Sequence, residues 1–178
     1  MVKRDVSGYS TGSKILHWLI AIVVILMLCL SFFMGDVPES WMSVVYTTHK
    51  SLGITVLALM ILRACWMLYC GKPKLPPTVS ALEAYLSRFI QYGFYILLIA
   101  MPISGWVMSV AAKKIPSYFG LFSLPLPIEP SKPLASFMNE THEVIAWLLI
   151  AFATLHILGA LKHYFWDKDK VLQSMYKG

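Results

Sequence analysis

The residues best suited to chemistry in this 178-residue chain are its five histidines, His17, His49, His142, His156 and His163. All lie inside or at the edge of long apolar blocks. An ionisable side chain at membrane depth is costly and marks a functional site by default. One such histidine is equally well explained by a hydrogen bond between helices, but four that pair by position require more. His142 and His156 are 14 residues apart, close to four helical turns, so they share a face about 21 Å apart along the axis. Each level then holds two imidazoles and no third nitrogen or thiolate. Structural zinc takes four ligands and catalytic zinc three plus water. Glu143 is too little for a carboxylate-bridged di-iron site. Two opposed imidazoles are what six-coordinate haem iron needs, and filling both axial positions favours electron transfer over oxygen binding. No C-x-x-C-H is present, so covalent attachment through that motif is not expected.

The elements that must hold these side chains are four apolar blocks. Hydrophobic residues make up 58% of the chain and charged residues 13%, with a mean hydropathy of +0.67. A soluble domain carries roughly twice that charge. The blocks cover about 15–34, 47–69, 89–112 and 137–166, each near the roughly 20 residues that cross a bilayer as a helix. They are too long for barrel strands. Pro102 and Gly105 predict a local kink in the third. Ile15 to Phe33 is long for a signal peptide's apolar region and is followed by no small-residue cleavage site, so it reads as a retained span. The expected fold is all-α, a single membrane domain over residues 1–178 forming a four-helix bundle that encloses two haems.

Lysine and arginine set the expected orientation. One side carries Lys3, Arg4, Lys14, Arg63, Lys72, Lys74, Arg88, Lys162, Lys168, Lys170 and Lys177; the other carries only Lys50, Lys113, Lys114 and Lys132. The first side is read as cytoplasmic, with both termini. The net charge of +6 is therefore mainly a topology signal, and nucleic acid is not an expected partner. On this topology His49 and His142 pair near the outer face, and His17 and His156 pair near the cytoplasmic face. Arg63 follows His49 by 14 residues, which places it near the inner pair, where it could meet a haem propionate or snorkel at the span end. Lys162 and His163 are candidates for propionate or quinone contacts, or ordinary interfacial residues. Gly53 and Gly159 offer room for a porphyrin or for helix packing. Cys29, Cys65 and Cys70 match no disulfide framework and read as small buried hydrophobes. The proline-rich segment 113–136 suits a semi-rigid outer cap.

Several runs of residues resemble the bacterial cytochrome b561 family over nearly the whole chain. They are K-I-L-H-W (Lys14 to Trp18), H-K-S-L-G-I (His49 to Ile54), Arg63, P-I-S-G-W (Pro102 to Trp106), His142–Glu143, and L-H-I-L-G-A-L-K-H-Y-F-W-D-K-D from Leu155 to Asp169. The resemblance implies a four-helix protein of the bacterial inner membrane with two b haems. Their ligands would be His49 with His142 on the outer side and His17 with His156 on the inner. It also implies electron transfer between a periplasmic-side donor and membrane ubiquinone. One member type passes the electron of superoxide to ubiquinone; related subunits serve a separate redox partner. Four outer lysines could steer an anion, but Asp36, Glu39, Glu129, Glu140 and Glu143 on that side outnumber them. A third reading, a metal or proton transporter using the histidines, predicts a colourless protein, and the chain shows no repeat of the kind common in transporters.

Overall fold

A computed structural model describes residues 8–71, 73 and 79–176. Lys3, Arg4, Lys72, Lys74 and Lys177 from the charge count lie outside the described residues. Four helices dominate: α1 (Thr11–Ser31), α2 (Glu39–Cys70), α3 (Ala81–Ala111) and α4 (Lys132–Lys162). All four are long and apolar enough to cross a membrane, and helices satisfy every backbone group internally, as lipid demands. Most of their apolar side chains face outward; Leu68 is 87% exposed and Ile96 67%. That is an inverted balance for a protein in water and the expected one for a protein in lipid.

Three of the helices start well before their apolar blocks. α2 begins eight residues before Thr47, right after Pro38, whose backbone is preset for a helix start. α3 begins at Ala81 behind a reciprocal cap, Ser80 Oγ receiving the Glu83 N–H while Glu83 receives the Ser80 N–H. α4 begins behind the Ser131 side chain with Pro133 in its first turn. These caps are polar, so a hydropathy reading places them outside the span although the helix has already started. At its far end α4 runs into a π-helical turn (His163–Asp167) that stops at Lys168 in the left-handed region.

The helices pack in sequence, α1 on α2, α2 on α3 and α3 on α4, and ring contacts such as Phe32–Trp147 close the bundle between α1 and α4. Six buried apolar residues cluster at mid-height: Ile20, Val56, Met60, Leu98, Ile145 and Leu149. Cys29 and Cys65 are free and exposed on the helix surface, not buried as expected: their positions fall on the outward faces of α1 and α2.

Residues 113–131 cap one end of the bundle, hereafter the cap end; the end where α1 starts and α4 finishes is the terminus end. Ser117–Tyr118 pairs antiparallel with Phe122–Ser123. The turn between them puts Phe119 and Gly120 at φ of 48° and 77°, the left-handed pair that suits a tight hairpin. Ser51 on α2, fully buried, anchors it: its Oγ accepts from the Phe119 N–H at 2.8 Å and donates to the Thr47 carbonyl at 2.7 Å. Trp106 Nε1 donates to the Leu124 carbonyl at 2.8 Å. Replacing Ser51 with Ala would strand the Phe119 N–H, at a cost of about 1–3 kcal/mol. We expect faster proteolytic cutting within 113–131 and an unchanged far-ultraviolet helical spectrum.

Candidate functional site

Each histidine pair spans facing helices. Near the cap end His49 (α2) and His142 (α4) have ring centroids 6.4 Å apart with planes at 67°. Near the terminus end His17 (α1) and His156 (α4) are 6.1 Å apart at 71°. The buried mid-height layer lies between the two pairs, since Ile145 and Leu149 follow His142 on α4 before His156 is reached. A cavity of about 410 Å³ opens beside the cap-end pair, lined by His49, Lys50, Gly53, Gly105, His142 and Glu143 among others.

The surroundings of the rings differ between the ends. Ser104 on α3 is buried; its hydroxyl lies 2.7 Å from the Met101 carbonyl and 2.9 Å from His142 Nδ1. A serine has one hydrogen to give, and a carbonyl can only accept. The hydroxyl therefore donates to Met101, its oxygen accepts from His142 Nδ1–H, and the His142 Nε2 lone pair is left free. Gly105, next along α3, makes room for that ring: a Cβ there would stand 3.0 Å from His142 Cε1. The P-I-S-G-W run thus positions a histidine on another helix. Neither Ser104 nor Gly105 stood out as a site residue in the sequence; the available signal was a hydroxyl inside an apolar helix, a common bond between membrane helices.

At the terminus end Arg63 Nη1 lies 2.9 Å from His17 Nδ1. A guanidinium only donates, so here Nδ1 accepts and a neutral ring holds its proton on Nε2. Arg63 Nε is buried without a partner, and among the described residues no carboxylate pairs with Arg63. Lys162 and His163 are drawn into a separate cluster. Lys162 pairs with Glu83 at the start of α3 and with Asp167 at 2.8 Å. His163 Nδ1 lies 2.7 Å from the buried Asp169 and 3.1 Å from Asp167. Gly53 lines the cap-end cavity, while Gly159 has open space where a Cβ would stand.

A four-helix membrane bundle with paired imidazoles between its helices has the architecture of a membrane cytochrome. Residues 8–178 match the family model described as prokaryotic cytochrome b561. The chain is 32% identical to "Cytochrome b561 homolog 2" of Escherichia coli (strain K12) over 169 residues, 94% of this chain and 90% of that one. It is 29% identical to "Probable superoxide oxidase CybB" of Yersinia pestis, over 90% of each chain. "Cytochrome b561 homolog 1" of E. coli is 24% identical over 94% of this chain and 96% of its own length. The chain belongs to the prokaryotic cytochrome b561 family, whose work is membrane electron transfer with b-type haem.

The residues present fit that group. An imidazole nitrogen stands about 2 Å from a metal it binds, and its ring centre lies about 1.2 Å behind it, so two imidazoles on opposite sides of one ion have centroids roughly 6.3 Å apart. The separations of 6.1 and 6.4 Å agree. Edge-to-face ring pairs fall in the same range, and the hydrogen bonds of the ring nitrogens bear on the fit as well. His142 presents a free Nε2, and His49 Nδ1 is buried without a partner. Arg63, with no carboxylate partner among the described residues, suits a propionate. Were His17 to hold the group through Nε2, its proton would sit on Nδ1 and Arg63 would turn from the ring to the carboxylate.

Gly105→Val should push the His142 ring out of place. We expect less b-type haem bound per chain, measured by pyridine haemochrome, with helical content unchanged by circular dichroism.

Proposed function

We propose that this chain holds two b haems and carries electrons between an outer-side donor and membrane ubiquinone. The observation that carries the reading is the pair of opposed imidazole sets at two levels of one bundle, with ring centroids 6.4 and 6.1 Å apart. His49 and His142 would hold the group at the cap end, and His17 and His156 the one at the terminus end. Haem, when bound, supplies a one-electron couple at each level.

The lysine and arginine excess at the terminus end supports a cytoplasmic placement of that end in a bacterial inner membrane, with the cap end on the periplasmic side. Superoxide is the donor we favour. A relative covered over 90% of its length bears the name probable superoxide oxidase, and Lys50 lines the cap-end cavity. Each superoxide gives up one electron and leaves as dioxygen; two electrons and two protons convert ubiquinone to ubiquinol. For the quinone head group we propose His163, near the cytoplasmic surface, whose ring Asp169 orients. Lys162 is engaged with two carboxylates and serves that end structurally.

A second reading has one observation behind it. Ile115, Phe119, Leu121 and Phe122 on the cap are exposed, Leu121 to 78%, and such a surface could dock a redox partner protein that delivers the electrons instead.

A reduced-minus-oxidised visible spectrum of the detergent-purified protein, with haem counted per chain, tests the core of the proposal. Two low-spin b haems are expected, and a colourless protein overturns it. His142→Ala should lose only the cap-end haem and His156→Ala only the other; two haems retained in either variant would sink the ligand assignment. Superoxide consumption should yield ubiquinol in a salt-sensitive way, whereas the docking reading predicts no such coupling without a copurifying partner.

A further inference from the structure

The two histidine pairs have unlike electrical surroundings. At the cap end His142 Nδ1–H donates to Ser104 Oγ at 2.9 Å, and that oxygen in turn spends its own hydrogen on the Met101 carbonyl at 2.7 Å. An acceptor on the far nitrogen makes an imidazole a more basic ligand. A more basic ligand favours the oxidised, more positive iron. Lys50 beside His49 and Glu143 beside His142 both line the cavity there, and Lys50 spends a hydrogen bond on the Lys114 carbonyl at 3.4 Å.

At the terminus end the neighbour is a full cation. Arg63 reaches His17 Nδ1 at 2.9 Å, has a buried Nε without a partner, and is paired with no carboxylate among the described residues. Of the other charges there, Lys162 pairs with Glu83 and Asp167, and His163 lies against Asp169. A guanidinium in a low-dielectric interior penalises the more positive oxidised state and favours the reduced one. That holds whether it touches the imidazole or a propionate, since its charge stays in the site either way.

We infer that Ser104 and Arg63 tune the two sites in opposite directions, the terminus-end site lying at the higher reduction potential, so that electrons run downhill from the cap end to the terminus end. The inference rests on the two-haem reading above. Ser104 acts as a positioning residue through His142, while Arg63 acts by its charge. The device uses second-neighbour hydrogen bonding and local charge with identical axial ligands at both levels, two of the recognised means of setting a haem potential.

The test is a potentiometric titration of the purified holoprotein followed in the visible band, with each midpoint assigned from His142→Ala and His156→Ala, which each keep a single haem. The terminus-end midpoint should be the higher of the two. Ser104→Ala should raise the cap-end midpoint and leave the other in place, and Ser104→Thr, which keeps the hydroxyl, should restore it. Arg63→Gln should lower the terminus-end midpoint, and Arg63→Lys should hold most of it. A cap-end midpoint above the terminus-end one overturns the inference, as does a Ser104→Ala midpoint that does not move. Should Arg63→Gln lose its haem, the order of midpoints in the unaltered chain decides. Fewer than two haems in the unaltered chain instead overturns the reading underneath.

Discussion

A histidine at membrane depth must be provided with a partner, because no water is there to solvate it. Much of this molecule follows from meeting that demand twice. His49 faces His142 at one level and His17 faces His156 at the other, and α4, which supplies one imidazole to each pair, becomes the axis the other helices must address. The buried layer of Ile20, Val56, Met60, Leu98, Ile145 and Leu149 sits between the levels. It fixes the approach of the helices without filling either histidine site.

α3 contributes no histidine, yet it is the helix that sets the cap-end site. Pro102 cannot donate a backbone hydrogen bond, Ser104 ties the Met101 carbonyl to His142, and Gly105 leaves space for the ring. Three adjacent features of one helix thereby choose a tautomer on another. Arg63 plays the opposing part at the far end, as a cation against His17 with no carboxylate partner among the described residues. The two histidine levels differ in what their rings touch, the Ser104 hydroxyl at one and the Arg63 guanidinium at the other.

The cap illustrates how polar backbone is managed at the membrane surface. An irregular segment beside lipid would expose unsatisfied amides. Ser51 accepts from the Phe119 N–H, Trp106 donates to the Leu124 carbonyl, and Thr55 holds the Tyr118 hydroxyl, so the segment lies on the bundle as a fixed lid. Ser51 comes two residues after His49, which couples the cap's seating to the cap-end pair.

Hydropathy and histidine spacing determined the architecture from the sequence alone, because lipid admits so few solutions: long apolar blocks must be helices, and the 14-residue interval in α4 places its two histidines on one face. The pairing by level was legible for the same reason, since depth follows from position along a helix that crosses a slab of known thickness. The helix starts were not, because Ser80, Ser131 and Glu39 are polar and hydropathy stops short of them. Nor were the outward faces of Cys29 and Cys65, or the Ser104–His142 and Arg63–His17 contacts. Those depend on how each helix is rotated about its own axis and which neighbour it meets. Rotation is settled by side-chain packing across the bundle, to which a one-dimensional pattern of polar and apolar residues is nearly blind.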